Sequence, residues 1–238
     1  FVGYGVSAPE QDWDDYAGLD VKGKTVVMLI NDPGFHSGDA SLFEGRRMTY
    51  YGRWTYKFEE AARQGAAAAI LIHDTPGAAY GWDVVKNSWS GSQFDLPVAD
   101  DPAPRLPMQG WITGESAKSL FADAGLDLDQ LRDAAGKRGF KAVPIADAKF
   151  DATIKNTIKQ SQSRNVIAKL RGSTRPDEAI VYSAHWDHLG THADEPGDNI
   201  YNGAIDNGTG VAGVLEIAEQ FVVQSAKPER SEVFLLVT

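Results

Sequence analysis

The sequence contains no cysteine. That absence excludes disulfide bridges, thiolate zinc sites and cysteine nucleophiles together, and leaves His, Asp and Glu as the side chains able to hold a metal. Basic runs are missing too. The 238 residues carry 23 Lys and Arg against 33 Asp and Glu, a formal net charge of −10. Nothing in the chain has the clustered positive charge of a nucleic-acid surface, so no nucleic-acid partner is expected. No apolar run reaches the roughly 20 residues of a membrane-spanning helix. The opening stretch, Phe1-Val2-Gly3-Tyr4-Gly5, has neither the basic start nor the apolar centre of a signal peptide, and no initiator methionine precedes it. The last residues, Phe234-Leu235-Leu236-Val237-Thr238, read as a buried strand. Both ends read as cuts through a pattern, and the expectation is a piece of a larger protein.

What is present is ordinary for a folded chain, with 42% hydrophobic and 24% charged residues. The length suffices for one large or two modest domains. The first half reads as α/β. The apolar run over 24–30 predicts a buried strand, stopped by the turn residues Asn31-Asp32-Pro33-Gly34. Residues 56–64 predict a helix closed by Gly65, and 66–72 another buried strand. Residues 73–105, rich in Gly, Pro, Asp, Ser and Trp, predict loops around short strands. A strand over 107–113 and helices over 115–123 and 128–135 follow, capped by Gly114 and Asp127. The alternation of Phe150, Ala152 and Ile154 with polar neighbours predicts a half-solvated strand over 149–159. Strands are then expected over 166–170, 179–183 and 233–237, with a helix over 208–223. The last strand–loop–helix–strand run is a βαβ unit. A domain boundary is expected within 145–165, drawn as 1–160 and 161–238.

The chemistry-bearing residues lie in the second half. His185 and Asp187 follow the apolar run Ala179 to Ser183, at the carboxyl end of its strand, the edge where open α/β sheets bind ligands. Two residues apart on extended backbone, they can share a face. Asp206 stands just before the last helix, where backbone N–H groups favour a carboxylate. One imidazole and two carboxylates at one sheet edge suit zinc without cysteine. Each feature also has a plainer reading. The His185-Trp186-Asp187-His188 run is equally a polar strand end, Asp206 an N-cap, and Gly203, Gly208 and Gly210 turn residues.

His185-Trp186-Asp187 after an apolar strand, then Gly203-Ala204-Ile205-Asp206-Asn207-Gly208-Thr209-Gly210 opening a helix, resembles the co-catalytic di-zinc aminopeptidases and glutamate carboxypeptidases. The resemblance implies a mixed sheet flanked by helices, two zinc ions, and a peptide substrate attacked by a hydroxide held between the metals. It implies that His185 binds one zinc, that Asp206 bridges both, and that Asp187 is the catalytic-site carboxylate orienting His185. It further implies a cis peptide bond before Asn207. A bridging carboxylate can hold two cations about 3.5–4 Å apart, and a carboxylate on the far ring nitrogen fixes the histidine tautomer. His188 and His192 match no role in that pattern; His192 falls in the polar loop 191–199, expected to be solvated. Trp186 reads either as lining the cleft or as packing beneath it, and packing is expected.

The first half, through Phe1-Val2-Gly3-Tyr4-Gly5, Trp13-Asp14-Asp15-Tyr16 and Val21-Lys22-Gly23-Lys24-Thr25-Val26-Val27, resembles the protease-associated domain inserted in such peptidases. The polar-aromatic stretch from Glu44 to Trp54 reads either as a cleft-shaping loop or as packing. The expected whole is a protease-associated α/β domain followed by the start of a mixed-sheet α/β zinc exopeptidase domain, an aminopeptidase in a secreted or periplasmic setting. The family's general base and three further ligands have no counterpart in the sequence, so the chain alone is expected to be inactive. Two other readings stay open, a non-catalytic interaction or lid module and a single-zinc glutaminyl cyclase. The oligomeric state has no signature.

Overall fold

In the computed structural model, which describes residues 1–192 and 196–238, the chain divides between Thr153 and Ile154. The first unit opens with a short antiparallel pair, β1 (Ser7–Ala8) and β2 (Trp13–Asp14). Next come β3 (Thr25–Leu29), α1 (Trp54–Arg63), β4 (Ala68–Ile72), α2 (Thr75–Ala78), α3 (Trp82–Ser88), β5 (Met108–Ile112), α4 (Gly114–Asp123) and α5 (Leu128–Ala135). Strands β3, β4 and β5 form a parallel sheet with β4 in the middle. All five β4 residues are buried, because a central parallel strand is covered on both faces. One face carries Val27, Leu29, Ile70 and Ile72 against Ala117, Phe121 and Leu128 of α4 and α5. The other carries Val26, Met28, Ala69 and Leu71 against Phe58 and Ala61 of α1. Gly65 sits at φ +80 and its N–H reaches Ala62 O at 2.9 Å, which ends α1 and starts the turn into β4.

Several expectations change here. Residues 73–105 contain two short helices and no strand. Thr113, not Gly114, caps α4: its side chain accepts the Ser116 N–H at 3.1 Å. Asp127 caps α5 as its spacing implied, accepting from the Asp129 and Gln130 amides. The strand expected over 149–159 is absent, and Ile154 and Ile158 are 59% and 90% exposed. Alternation supplies a face but no partner, and without one the ladder hydrogen bonds go to water.

The second unit contains β6 (Val166–Leu170), β7 (Arg175–His185), the hairpin β8 (Gly190–Thr191) and β9 (Ile200–Tyr201), α6 (Gly210–Val223) and β10 (Arg230–Val237). Its sheet is mixed, in the order β6-β10-β7, with β10 antiparallel to β6 and parallel to β7. The crossover from β7 through α6 to β10 is the expected βαβ unit. Val214 of α6 packs on Ala184 and Phe234, and the Tyr182 and Phe234 rings stack at 5.7 Å. Strand β7 is longer than expected and not buried: Val181 is 56% exposed. It pairs on one side only, and Val181 lies on the sheet face opposite the one bearing Tyr182 and Ala184.

Candidate functional site

The parallel pairing of β7 with β10 brings His185 opposite Val237, at the carboxyl ends of both strands. The Trp186 N–H still reaches Val237 O at 2.8 Å, and beyond it the chain leaves the sheet. Asp187 folds back onto the imidazole. Its main-chain oxygen lies 3.0 Å from His185 Nδ1 and its carboxylate Oδ1 lies 3.3 Å away. On the other side, Asp206 Oδ1 lies 3.0 Å from His185 Nε2. The structure thus brings His185, Asp187 and Asp206 together.

A carbonyl oxygen only accepts, so Nδ1 carries the proton that it donates to Asp187. A neutral ring then has its lone pair on Nε2, on the side of the Asp206 carboxylate. Two Lewis-basic atoms facing each other at that distance need a proton or a cation between them. The His185 pKa is raised, first by the hydrogen bond to the Asp187 carbonyl, then by the two carboxylates. The same pair of donors, one imidazole nitrogen and one carboxylate oxygen, suits zinc. Among the described residues, no group of three or more His, Cys, Asp or Glu is arranged to hold a metal. The pair therefore supplies two of the roughly four donors that zinc takes. The side chains of His185 and Asp206 are 40% and 72% exposed, so the site opens to solvent.

The turn Ala204–Thr209 carries Asp206 and leads into α6, and its Asp206–Asn207 peptide bond is cis. Asn207, not Asp206, takes the amide at the start of the helix: its Oδ1 accepts the Gly210 N–H at 3.1 Å. That leaves the Asp206 carboxylate to His185 and sets aside the N-cap reading. Gly210 is required by the same contact, since a Cβ there would lie 2.1 Å from Asn207 Oδ1. The turn is further tied by Gly208 N–H to Gly203 O at 2.8 Å and by Thr209 Oγ1 to Ile205 O at 2.6 Å. The Asn207 contact was missed from the sequence; its signal was the spacing of Asn207 and Gly210, three apart at a helix start.

Trp186 departs from its expected place beneath the cleft. It is 52% exposed, and its Nε1 donates to Arg164 O at 3.2 Å. His192 is exposed and meets the Tyr201 ring edge-on at 4.9 Å. Residues 193–195 of the loop expected to be solvated lie outside the described residues. In the first unit, the stretch from Glu44 to Trp54 is occupied by packing: Tyr51 sits edge-on to Phe43 and Tyr56, and Thr49 N–H reaches Asp32 at 2.6 Å.

A second polar centre, buried in the first unit, escaped sequence reasoning altogether. Lys57 of α1 is 0% exposed, and its Nζ donates to Tyr4 O at 2.5 Å and Asn31 O at 2.9 Å. Asp15 and Asp32 supply the countercharge. Burial lowers the Lys57 pKa to about 8 and raises that of Asp15 to about 6, although Asp15 accepts from Val6 N and Trp13 Nε1. In sequence, a lysine beside Glu59 and Glu60 reads as the solvated face of an amphipathic helix.

Residues 165–238, which contain all of His185, Asp187 and Asp206, match the model of Peptidase family M28. No curated protein matches the chain. Among solved structures it is similar to an aminopeptidase from Aneurinibacillus sp. strain AM-1, at 21% identity and a TM-score of 0.35. That alignment covers 99% of this chain and 41% of the aminopeptidase, so the chain spans about two fifths of that protein's length.

Proposed function

We propose that the chain is part of a zinc-dependent exopeptidase, an aminopeptidase acting on peptides. The carrying observation is the 3.0 Å approach of His185 Nε2 and Asp206 Oδ1 at a sheet edge, inside the segment that matches Peptidase family M28. In this reading His185 and Asp206 are metal ligands, and Asp187 holds the imidazole by its far nitrogen so that Nε2 presents its lone pair. Zinc held there would act as a Lewis acid on the scissile carbonyl. The turn tied by Asn207 and Gly208 fixes Asp206 before any metal arrives. Two donors do not close a zinc site, so this reading requires further ligands and a general base beyond the pair, and it takes the chain by itself to be inactive. The likeness to this family also supports a secreted or periplasmic setting. No helix among the described residues is long and apolar enough to cross a membrane.

The first unit, a parallel sheet with α1 on one face and α4 and α5 on the other, is assigned as the protease-associated domain. A second reading, a non-catalytic interaction module, is favoured by the lack of a third donor among the described residues. The native protein that contains this chain separates the two. Chelator-sensitive release of nitroaniline from aminoacyl-nitroanilides, restored by zinc, is expected of the peptidase. Absence of hydrolysis with every such substrate would overturn the peptidase reading.

A further inference from the structure

His188 comes three residues after His185 and Gly203 three before Asp206, so a contact between them joins the two arms of the site. Gly203 has φ +66, in the left-handed region. A Cβ built on it would lie 2.9 Å from His188 Cβ, 3.0 Å from His188 Cγ and 2.9 Å from the main-chain oxygen of Asp206. The space that a side chain would take at Gly203 is therefore filled by the His188 side chain and the carbonyl of the residue that faces His185. The Gly203 carbonyl in turn accepts the Gly208 N–H, which closes the turn around Asp206. On its other flank the His188 ring tilts toward Tyr201, at the end of β9, with centroids 6.5 Å apart.

We infer that His188 is a positioning residue: packed on Gly203, its ring sets the turn that bears Asp206 at the distance from His185 at which both reach one cation. The role is one of shape. Among the described residues, His188 joins no group of three or more metal-ligand residues. It is also exposed, so its truncation removes little burial and should leave global stability nearly unchanged. What it would loosen is local, the ties across the turn. The consequence for metal rests on the zinc reading proposed above; the packing itself does not.

The test compares H188A, H188F and H185A in the native protein that contains this chain. Two quantities are read: amide hydrogen exchange at Gly208 and Gly210, without metal, and affinity for cobalt(II) as the zinc probe. H188A should speed exchange at both amides about tenfold, with the melting temperature unchanged. It should weaken cobalt binding by about tenfold, the usual effect of losing a group that supports a ligand. H188F, a flat ring without nitrogen, should restore both. Wild-type exchange and cobalt affinity in H188A, alongside loss of cobalt in H185A, would overturn the inference and leave the zinc reading standing. Failure of H188F to restore either would overturn it too, by showing that a nitrogen and not the shape matters. No cobalt uptake by the wild-type native protein would overturn the zinc reading and, with it, the cation-setting role.

Discussion

The Asp187 main-chain oxygen is closer to His185 Nδ1 than its carboxylate is, 3.0 Å against 3.3 Å. The group that orients the imidazole is therefore doubled, and the stronger contact does not depend on the side chain's identity. Asp187→Asn keeps the carbonyl and removes only the charge. It should lower zinc affinity modestly, about tenfold or less. His185→Ala removes a ligand and should strip zinc outright. Zinc content after dialysis against a graded chelator series separates these outcomes, and equal losses in the two variants would show that the carboxylate does the orienting.

Gly210 sits at helical φ and ψ, so alanine there is free of backbone strain. On helix propensity alone, Gly210→Ala would stabilise α6 by up to about 1 kcal/mol. The contact with Asn207 argues the reverse. The new methyl would displace the Asn207 side chain, break its bond to the Gly210 amide and loosen the turn that holds Asp206. A net destabilisation of about 1–2 kcal/mol is expected. Denaturant titration decides it, and a stabilised variant would mean that Asn207 moves aside at no cost.

How much of this was legible beforehand depends on whether the information was local. Strand β4 and its turn at Gly65 were readable, because an unbroken apolar run bounded by a helix-ending glycine has few other solutions. Position along the chain put His185 and Asp206 at one sheet edge but left a polar strand end and an N-cap open; the resemblance is what chose between them. The strand expected at 149–159 failed because alternation reports a face and never the partner that must bond to it. Lys57 was unreadable, since its countercharges come from Asp15 and Asp32, more than 20 positions upstream in sequence. Asn207 was overlooked because its acidic neighbour offered the more familiar cap.

Lys57 is the tie between the Tyr4 segment and the Asn31 turn in the first unit. Lys57→Met preserves much of the buried stem but leaves two carbonyls without a donor and two carboxylates without a countercharge. Breaking a buried charge cluster from one side costs about 3–5 kcal/mol, and that loss is expected here in chemical denaturation. Adding Asp15→Asn to Lys57→Met should recover part of it, because one of the stranded charges is gone. Additive losses in the double variant would show that the two residues do not interact.

Asp15 also gives the first unit a pH dependence whose sign is unusual for a carboxylate. Burial raises its pKa from the ordinary 3.8 to about 6. Between those values the folded state holds a proton that the unfolded state has released, so stability falls as pH rises through the window. Below about pH 4 both states are protonated and the group is silent; above about pH 6 both are ionised and the penalty is complete, offset by the neighbouring Lys57. A surface-paired carboxylate such as Glu178, whose pKa is lowered by the Arg230 guanidinium, acts in the opposite sense and loses its contribution as pH falls. The contrast isolates Asp15. Measured from pH 4 to pH 6.5, the stability of Asp15→Asn relative to wild type should rise with pH, because the variant lacks the group that must ionise in the core. A difference that stays flat across the window, or slopes the other way, would place the Asp15 pKa at or below its unfolded value.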